Sequence, residues 1–201
     1  MKYAVIYSSK TGNTALLADK IRACLPEDKV YTQALAPDSL KPDSRESDSR
    51  KADSLEPNSP KPDSTEADLV FAGFWTDKGS CDEEMASFLN KLHGKKLFLF
   101  GTAGFGGEPE YFNRILSRVK EQTDGSNTII GSYMCQGKMP VSVRKRYEAM
   151  LAAEPEKAGK LIENFDNALS HPDEDDLKKL EALVSQIIRR DPKLPQQPGP
   201  F

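Results

Sequence analysis

The stretch that most restricts what this chain can fold into is its first twenty-one residues. Tyr3-Ala4-Val5-Ile6-Tyr7 is an apolar and aromatic run without polar alternation, as expected of a strand buried on both faces in the middle of a parallel sheet. It runs directly into Ser8-Ser9-Lys10-Thr11-Gly12-Asn13-Thr14, and then into Ala15-Leu16-Leu17-Ala18-Asp19-Lys20-Ile21, which has helical spacing. A buried strand therefore delivers hydroxyls, one glycine and an amide to the start of a helix. That arrangement suits a phosphate: backbone N–H groups at a helix start are free, the helix dipole favours an anion, and Ser/Thr hydroxyls add donors. Gly12 permits a positive φ or a close backbone approach. The spacing is neither that of a Walker loop nor Gly-x-Gly-x-x-Gly. The same residues would also serve as a hydroxyl-rich cap before an ordinary helix.

Ser9-Lys10-Thr11-Gly12-Asn13-Thr14 after an N-terminal strand resembles the FMN-phosphate loop of flavodoxins, usually Ser/Thr-x-Thr-Gly-x-Thr. The resemblance runs through most of the chain outside 37–66 and the C-terminal tail. Within that family, Gly73-Phe74-Trp75-Thr76-Asp77-Lys78-Gly79 and Tyr133-Met134-Cys135-Gln136-Gly137-Lys138 resemble the flavodoxin-like proteins associated with bilirubin reduction in anaerobic bacteria. Lys10 is a departure, since many flavodoxins hold the phosphate without a neighbouring cation. The resemblance implies FMN as cofactor, with Ser9, Lys10, Thr11, Gly12, Asn13 and Thr14 around its phosphate.

The remaining order of elements agrees with that fold. A helix is expected over about Asn13 to Cys24, stopped by Leu25-Pro26, and a modest strand over Lys29 to Ala34. From Pro37 to Glu66 the chain resolves into six five-residue units: PDSLK, PDSRE, SDSRK, ADSLE, PNSPK and PDSTE. Rich in Pro, Ser and charge, with two leucines as its only core-forming residues, this segment reads as a disordered insertion within a single domain spanning 1–190. It occupies the crossover where a second helix belongs. Its replacement by a short Gly/Ser linker is expected to leave melting temperature and flavin affinity unchanged, because lengthening a surface loop costs little; a loss of several degrees would refute this. The repeat holds five basic and eight acidic residues, leaving 23 of each sign elsewhere from totals of 28 and 31.

Asp68 to Phe74 reads as a second buried strand and Trp75 to Ser80 as a loop, with Ser80 and Glu83 forming a capping-box pattern before the next helix. Met85, Phe88, Leu89 and Leu92 mark that helix's inner face, and Gly94 its stop. Lys96 to Gly101 is a strand, followed by a glycine-rich loop from Thr102 to Glu108; Pro109 opens a helix whose stripe is Ile115, Leu116 and Val119. Thr128 to Met134 is the fifth strand. Three helices follow, over Val141–Leu151, Pro155–Leu169 and Asp173–Arg190 by number, the last with Leu177, Leu180, Leu183, Val184, Ile187 and Ile188 on the face expected against the sheet. Asp191 to Phe201 reads as a flexible Pro-rich tail. Strands alternating with helices predict an α/β doubly wound, five-stranded parallel sheet with helices on both faces and extra C-terminal helices.

Ligands of open α/β sheets lie outside the carboxyl ends of the strands, where three loops should converge. The first is the phosphate loop. The second, Phe74, Trp75, Thr76, Asp77, Lys78 and Gly79, carries the chain's single tryptophan, suited to stack on a flavin ring or simply to cover the sheet end. The third, Thr102, Ala103, Gly104, Phe105 and Gly106, has small residues that let backbone amides reach a flavin's polar edge. Cys135 and Lys138, at the end of the fifth strand, are candidates to edge the same site, and for Cys135 the alternative, a buried structural thiol, is the one expected.

Absences narrow the function. A net charge of −3 offers nothing to nucleic acid, and no apolar run reaches the length of a membrane span. Three well-separated cysteines suit a reducing, cytoplasmic setting. His93 and His171 enter no triad, no metal spacing exists, and a phosphoacceptor site would need carboxylates where Ser8 and Phe74–Trp75 stand. The expected function is that of a monomeric FMN carrier passing electrons from a reductase to a partner oxidoreductase such as bilirubin reductase. The alternatives are an FMN-dependent NAD(P)H oxidoreductase acting on a quinone or tetrapyrrole, and an interaction protein of this fold without FMN.

Overall fold

A computed structural model describes residues 1–35, 66–106 and 108–190. All of the pentapeptide repeat except Glu66, together with the tail from 191, lies outside the described residues. Glu66 pairs with Lys2 at 2.8 Å.

The chain runs β1 (Tyr3–Tyr7), α1 (Asn13–Cys24), a 3-10 turn at Glu27–Lys29, β2 (Val30–Ala34), β3 (Leu69–Asp77), β4 (Ser80–Cys81), α2 (Glu83–Asn90), β5 (Lys96–Ala103), α3 (Pro109–Lys120), β6 (Thr128–Gln136), α4 (Val141–Met150), α5 (Pro155–Ala168) and α6 (Glu174–Arg189). Five strands form a parallel sheet in the order β2-β1-β3-β5-β6, and the short β4 pairs antiparallel with β3. The order reverses direction after β1, which leaves a crevice at the carboxyl ends of β1 and β3.

Side chains alternate along each strand and so divide the core between the two faces. Ala4, Ile6, Val70, Ala72, Phe74, Leu97 and Leu99 meet Met85 and Leu89 of α2 and Ile115, Leu116 and Val119 of α3. On the other face Tyr3, Val5, Leu69, Phe71, Phe98, Phe100 and Tyr133 meet Leu17, Ala18 and Ile21 of α1 and Leu180 and Val184 of α6. Leu177, Ile187 and Ile188 pack at the margin of this second cluster, as the amphipathic face of α6 predicts. Leu183 of that face remains exposed. Lys20 of α1 and Glu181 of α6 close the helix pair with an ion pair of 2.5 Å.

The expected helices form within a residue or two of their predicted ends, except α2, which ends at Asn90 short of the Gly94 stop, and Pro109 occupies the first turn of α3. The strands differ more. β3 runs on through Trp75, Thr76 and Asp77, where a loop was expected. Those residues find a new partner in β4: Thr76 pairs Cys81 and Asp77 pairs Ser80. Lys78 and Gly79 make the two-residue turn between them, with φ of +47° and +82°, the tight-turn geometry that suits a hairpin. Ser80 therefore belongs to a strand, and Asp82 takes the cap of α2 by accepting from the Met85 N–H. Likewise Thr102, Ala103, Cys135 and Gln136 belong to strands, because β5 and β6 extend together, pairing Thr102 with Cys135 and Ala103 with Gln136. Leu92 lies beyond the end of α2 yet is buried.

Among the described residues no helix is long and apolar enough to cross a membrane. The cysteines are all free thiols; Cys81 and Cys135 are buried, and burial pushes both thiol pKa values up.

Candidate functional site

The crevice floor is built from the ends of β1, β3 and β5. Ser8, the residue after β1, is buried; its N–H donates to the Gly73 carbonyl at 2.8 Å and its hydroxyl donates to the Asp82 carboxylate in a short hydrogen bond. Thr14, in the first turn of α1, is fully buried and donates to the Phe74 carbonyl at 3.2 Å. Its hydroxyl also lies 3.1 Å from that of Thr102. A buried hydroxyl needs such partners, and here they tie the helix start to two strands. Thr14 and Thr102 thus face the protein interior.

Above this floor lies the loop 9–12. Gly12 takes a left-handed φ of +85° at the cap position of α1 and brings no side chain to cap the helix itself. The Ser9 hydroxyl oxygen accepts from the Ala15 N–H at 3.2 Å, and the Thr11 hydroxyl oxygen accepts from the Asn13 amide at 2.9 Å. Both hydroxyls keep their own protons for an outside acceptor. Among the described residues, no partner takes the backbone N–H groups of Lys10, Thr11, Gly12, Asn13 and Thr14. Five successive free donors at the positive end of a helix make this loop a candidate anion site.

Around the cradle the other strand ends close in. The Asn13 amide also donates to the Lys138 carbonyl at 2.9 Å, and a Cβ at Gly137 would lie 2.6 Å from that amide nitrogen. The Gly104 carbonyl accepts from Gln136 at 3.2 Å and from Asn164 of α5 at 3.1 Å. A Cβ on Gly104 would meet Met139 at 2.5 Å, and one on Gly106 would meet Gln136 at 2.7 Å. Phe105 between them is 39% exposed and meets Tyr111 edge-on, with ring centroids 6.4 Å apart. Gly107 lies outside the described residues.

On the opposite side, Trp75 is half-buried, and the Lys10 ammonium stands 4.5 Å from its ring centroid. Phe74 points the other way into the core and offers the crevice only its carbonyl. Lys10, Lys78 and Lys138 are exposed on the crevice loops, with the half-buried Asp77 among them. The three predicted segments are therefore brought together: Thr14 touches Phe74 and Thr102, Lys10 touches Trp75, and Asn13 touches Lys138.

Sequence reasoning missed Ser8, Asp82, Gln136 and Asn164. For Asp82 a signal existed, since Asp is as good a helix cap as Ser. Asn164 lies 60 residues from Gly104 and carries no local signal. The carboxyl of Asp82 is 2% exposed, and burial pushes its pKa up to about 6 against the pull of the Ser8 hydroxyl.

Among the described residues, Asn13 Oδ1 at the start of α1 and Thr76 Oγ1, on the Phe74 side of β3, are buried without a hydrogen-bond partner. The orphaned Asn13 oxygen is an acceptor that a ligand hydroxyl can satisfy. Five free N–H groups, this oxygen and an indole fit a phosphate monoester that carries hydroxyls and a flat ring.

The family model of the flavodoxin domain matches residues 4–185. The chain belongs to the flavodoxin family. It is 37% identical over 200 residues to the flavodoxin-like domain-containing protein BilS of Clostridium symbiosum (strain WAL-14163), covering 93% of this chain and 96% of that one. To the BilS protein of Clostridioides difficile (strain CD3) it is 32% identical over 190 residues, covering 94% and 97%. The solved flavodoxin of Streptococcus pneumoniae TIGR4 shares the fold, with a TM-score of 0.50 at 16% identity over 94% of this chain and 98% of that one. The expected family and its narrower branch are both borne out, as is the doubly wound fold.

Proposed function

We propose that this flavodoxin binds FMN in the crevice at the ends of β1, β3 and β5 and carries electrons between a reductase and a partner oxidoreductase. The observation that supports this most is the row of five unpartnered N–H groups from Lys10 to Thr14 beside the Lys10–Trp75 pair. The backbone N–H groups and the helix dipole would stabilise a phosphate there, and the Ser9 and Thr11 hydroxyls would donate to its oxygens. Asn13 Oδ1 would accept from a ribityl hydroxyl. Trp75 would shield one side of the ring from water, and the loop of Gly104 and Gly106, packed against Met139 and Gln136, would offer backbone groups to its polar edge. When bound, the flavin accepts and releases electrons; the protein orients it and sets its electrostatic surroundings. Likeness to the BilS proteins favours bilirubin reductase as the oxidoreductase served.

Titration of the purified chain should give one FMN per chain with quenching of Trp75. Riboflavin should bind at least about 100-fold more weakly, since several charge-assisted bonds disappear with the phosphate. Equal affinity for the two flavins would remove the cradle from the reading. In anaerobic stopped-flow absorbance, NADH or NADPH alone should reduce the flavin slowly, and an added ferredoxin- or flavodoxin-reductase quickly. Rapid bleaching by the nucleotide alone, followed by turnover on a quinone or bilirubin, would replace the carrier by an enzyme.

A further inference from the structure

Lys10 sits where a phosphate ligand would be assigned from sequence, yet its ammonium is on the indole of Trp75. Its neighbours in the loop are already fixed: Ser9 by the Ala15 N–H, Thr11 by Asn13, and Gly12 by its left-handed backbone. The loop already offers an anion the free backbone N–H groups and the Ser9 and Thr11 hydroxyls, without a side-chain cation. Among the described residues Lys10 makes no ion pair with a carboxylate, and its contact is the ring, at 4.5 Å from the centroid.

Trp75 has a matching need. On one side it pairs with Thr102 of β5. On the other, β1 has ended, because its last pair with β3 is Tyr7 with Gly73. The flank of β3 beyond Gly73 is bordered by the loop that leaves β1, and Lys10 is the residue of that loop lying over the indole. A half-buried tryptophan that pairs with a neighbouring strand on the β5 side only, where β1 no longer runs alongside, gains from a contact that holds one pose. An ammonium over the indole face supplies one, with an attraction that is modest at exposed sites.

We propose that Lys10 is a positioning residue, a clamp that holds Trp75 in the pose against which a ligand's flat ring lies, and is not a ligand of the phosphate. The inference rests on the flavin reading above for its effect on binding; the clamp itself is the Lys10–Trp75 contact. It couples the two halves of the site. The loop that binds the anion also sets the ring platform, through one side chain.

Trp75 is the chain's only tryptophan, so its emission reports on the clamp in the ligand-free protein. Lys10→Met keeps the apolar stem and removes the charge; Lys10→Arg keeps the cation–π contact. In the Met variant acrylamide should quench Trp75 more readily, and the Arg variant should behave like the parent. FMN and riboflavin should both lose affinity by the same factor, about two- to fivefold, and Arg should restore it. In a Trp75→Leu background the Lys10→Met change should no longer affect either flavin. Unchanged quenching in Lys10→Met would overturn the clamp. So would a loss of FMN affinity of tenfold or more with riboflavin unchanged, which would make Lys10 a phosphate ligand. If the parent binds no flavin, the functional reading fails while the quenching comparison still decides the clamp.

Discussion

Gly73→Ala should destabilise the protein by about 3 kcal/mol, the upper part of the range for overpacking a core, and lower its melting temperature by roughly 6–12 °C for a domain of this size. Gly73 sits at the centre of the sheet, paired with Tyr7 of β1 and Phe100 of β5. A Cβ built there would lie 2.2 Å from the Phe100 ring and 2.8 Å from the Tyr7 Cβ. Phe100 is fully buried in the cluster beneath α1 and α6, so the ring has nowhere to retreat. The opposite face carries the same device: a Cβ at Gly101 would lie 2.6 Å from the buried Phe74 ring. Each glycine is a slot that an aromatic ring on the adjacent strand fills. Thermal melts of Gly73→Ala, Phe100→Leu and the double variant test this. The double variant should be more stable than the sum of the two losses predicts, because a smaller side chain at 100 vacates the slot. A melting temperature for Gly73→Ala within two degrees of the parent would show that the ring is not confined.

Asp82→Asn should stabilise the protein at pH 8 and do nothing at pH 4. Asp82 is buried between Ser8 and the start of α2. Its two oxygens accept from the Ser8 hydroxyl and the Met85 N–H, with Cys81, Glu83 and Glu84 as its neighbours in the chain. Burial raises the pKa from 3.8 to about 6 and is the largest cause; the Ser8 bond opposes it and Glu84 adds to the rise. A carboxyl whose native pKa lies above its unfolded value holds its proton more tightly in the folded state. Its contribution to stability is therefore fully present below about pH 4 and is lost as pH rises through about 6. The shift corresponds to roughly 3 kcal/mol of penalty on the alkaline side. Asparagine keeps the cap with its single oxygen on the Met85 N–H, and its NH2 donates to the Ser8 hydroxyl oxygen in place of the bond the carboxylate accepted, without a charge to bury. Urea unfolding at pH 4, 6 and 8 should show a stability gain that grows with pH toward that figure. A constant difference across the three pH values, or a loss at pH 8, would mean that the carboxylate is well solvated or needed in charged form.

The parts of the molecule that were legible in the sequence are those set by neighbours close along the chain. The apolar run Tyr3 to Tyr7, the hydroxyl loop and the helix from Asn13 are one local unit, and the bounds of α1 follow from Gly12 before it and Leu25-Pro26 after it. The apolar spacing of α3 and α6 predicts which faces are buried, and Pro109 its first turn. The alternation of such units carries the fold class, since parallel strands need crossovers. The same local signals locate the phosphate loop and the lone tryptophan.

The tertiary structure decided where the strands end and which polar atoms are spent inside. Trp75 to Asp77 are polar enough to read as loop, yet they continue β3 because β4 folds back to pair with them. Thr102 and Cys135 extend their strands because each has the other as partner. Thr14 has the sequence position of a phosphate donor, but two strand ends 60 and 88 residues away claim its hydroxyl. Asp82 is a good cap by its chemistry, and only the approach of Ser8, 74 residues earlier, buries it and raises its pKa. Lys10 and Trp75 meet because β1 stops two residues short of the tryptophan and leaves the flank of β3 to the loop. Hydrogen bonds and desolvation depend on which groups come within about 3 Å of each other. Across separations of this length, the packed sheet alone sets those distances.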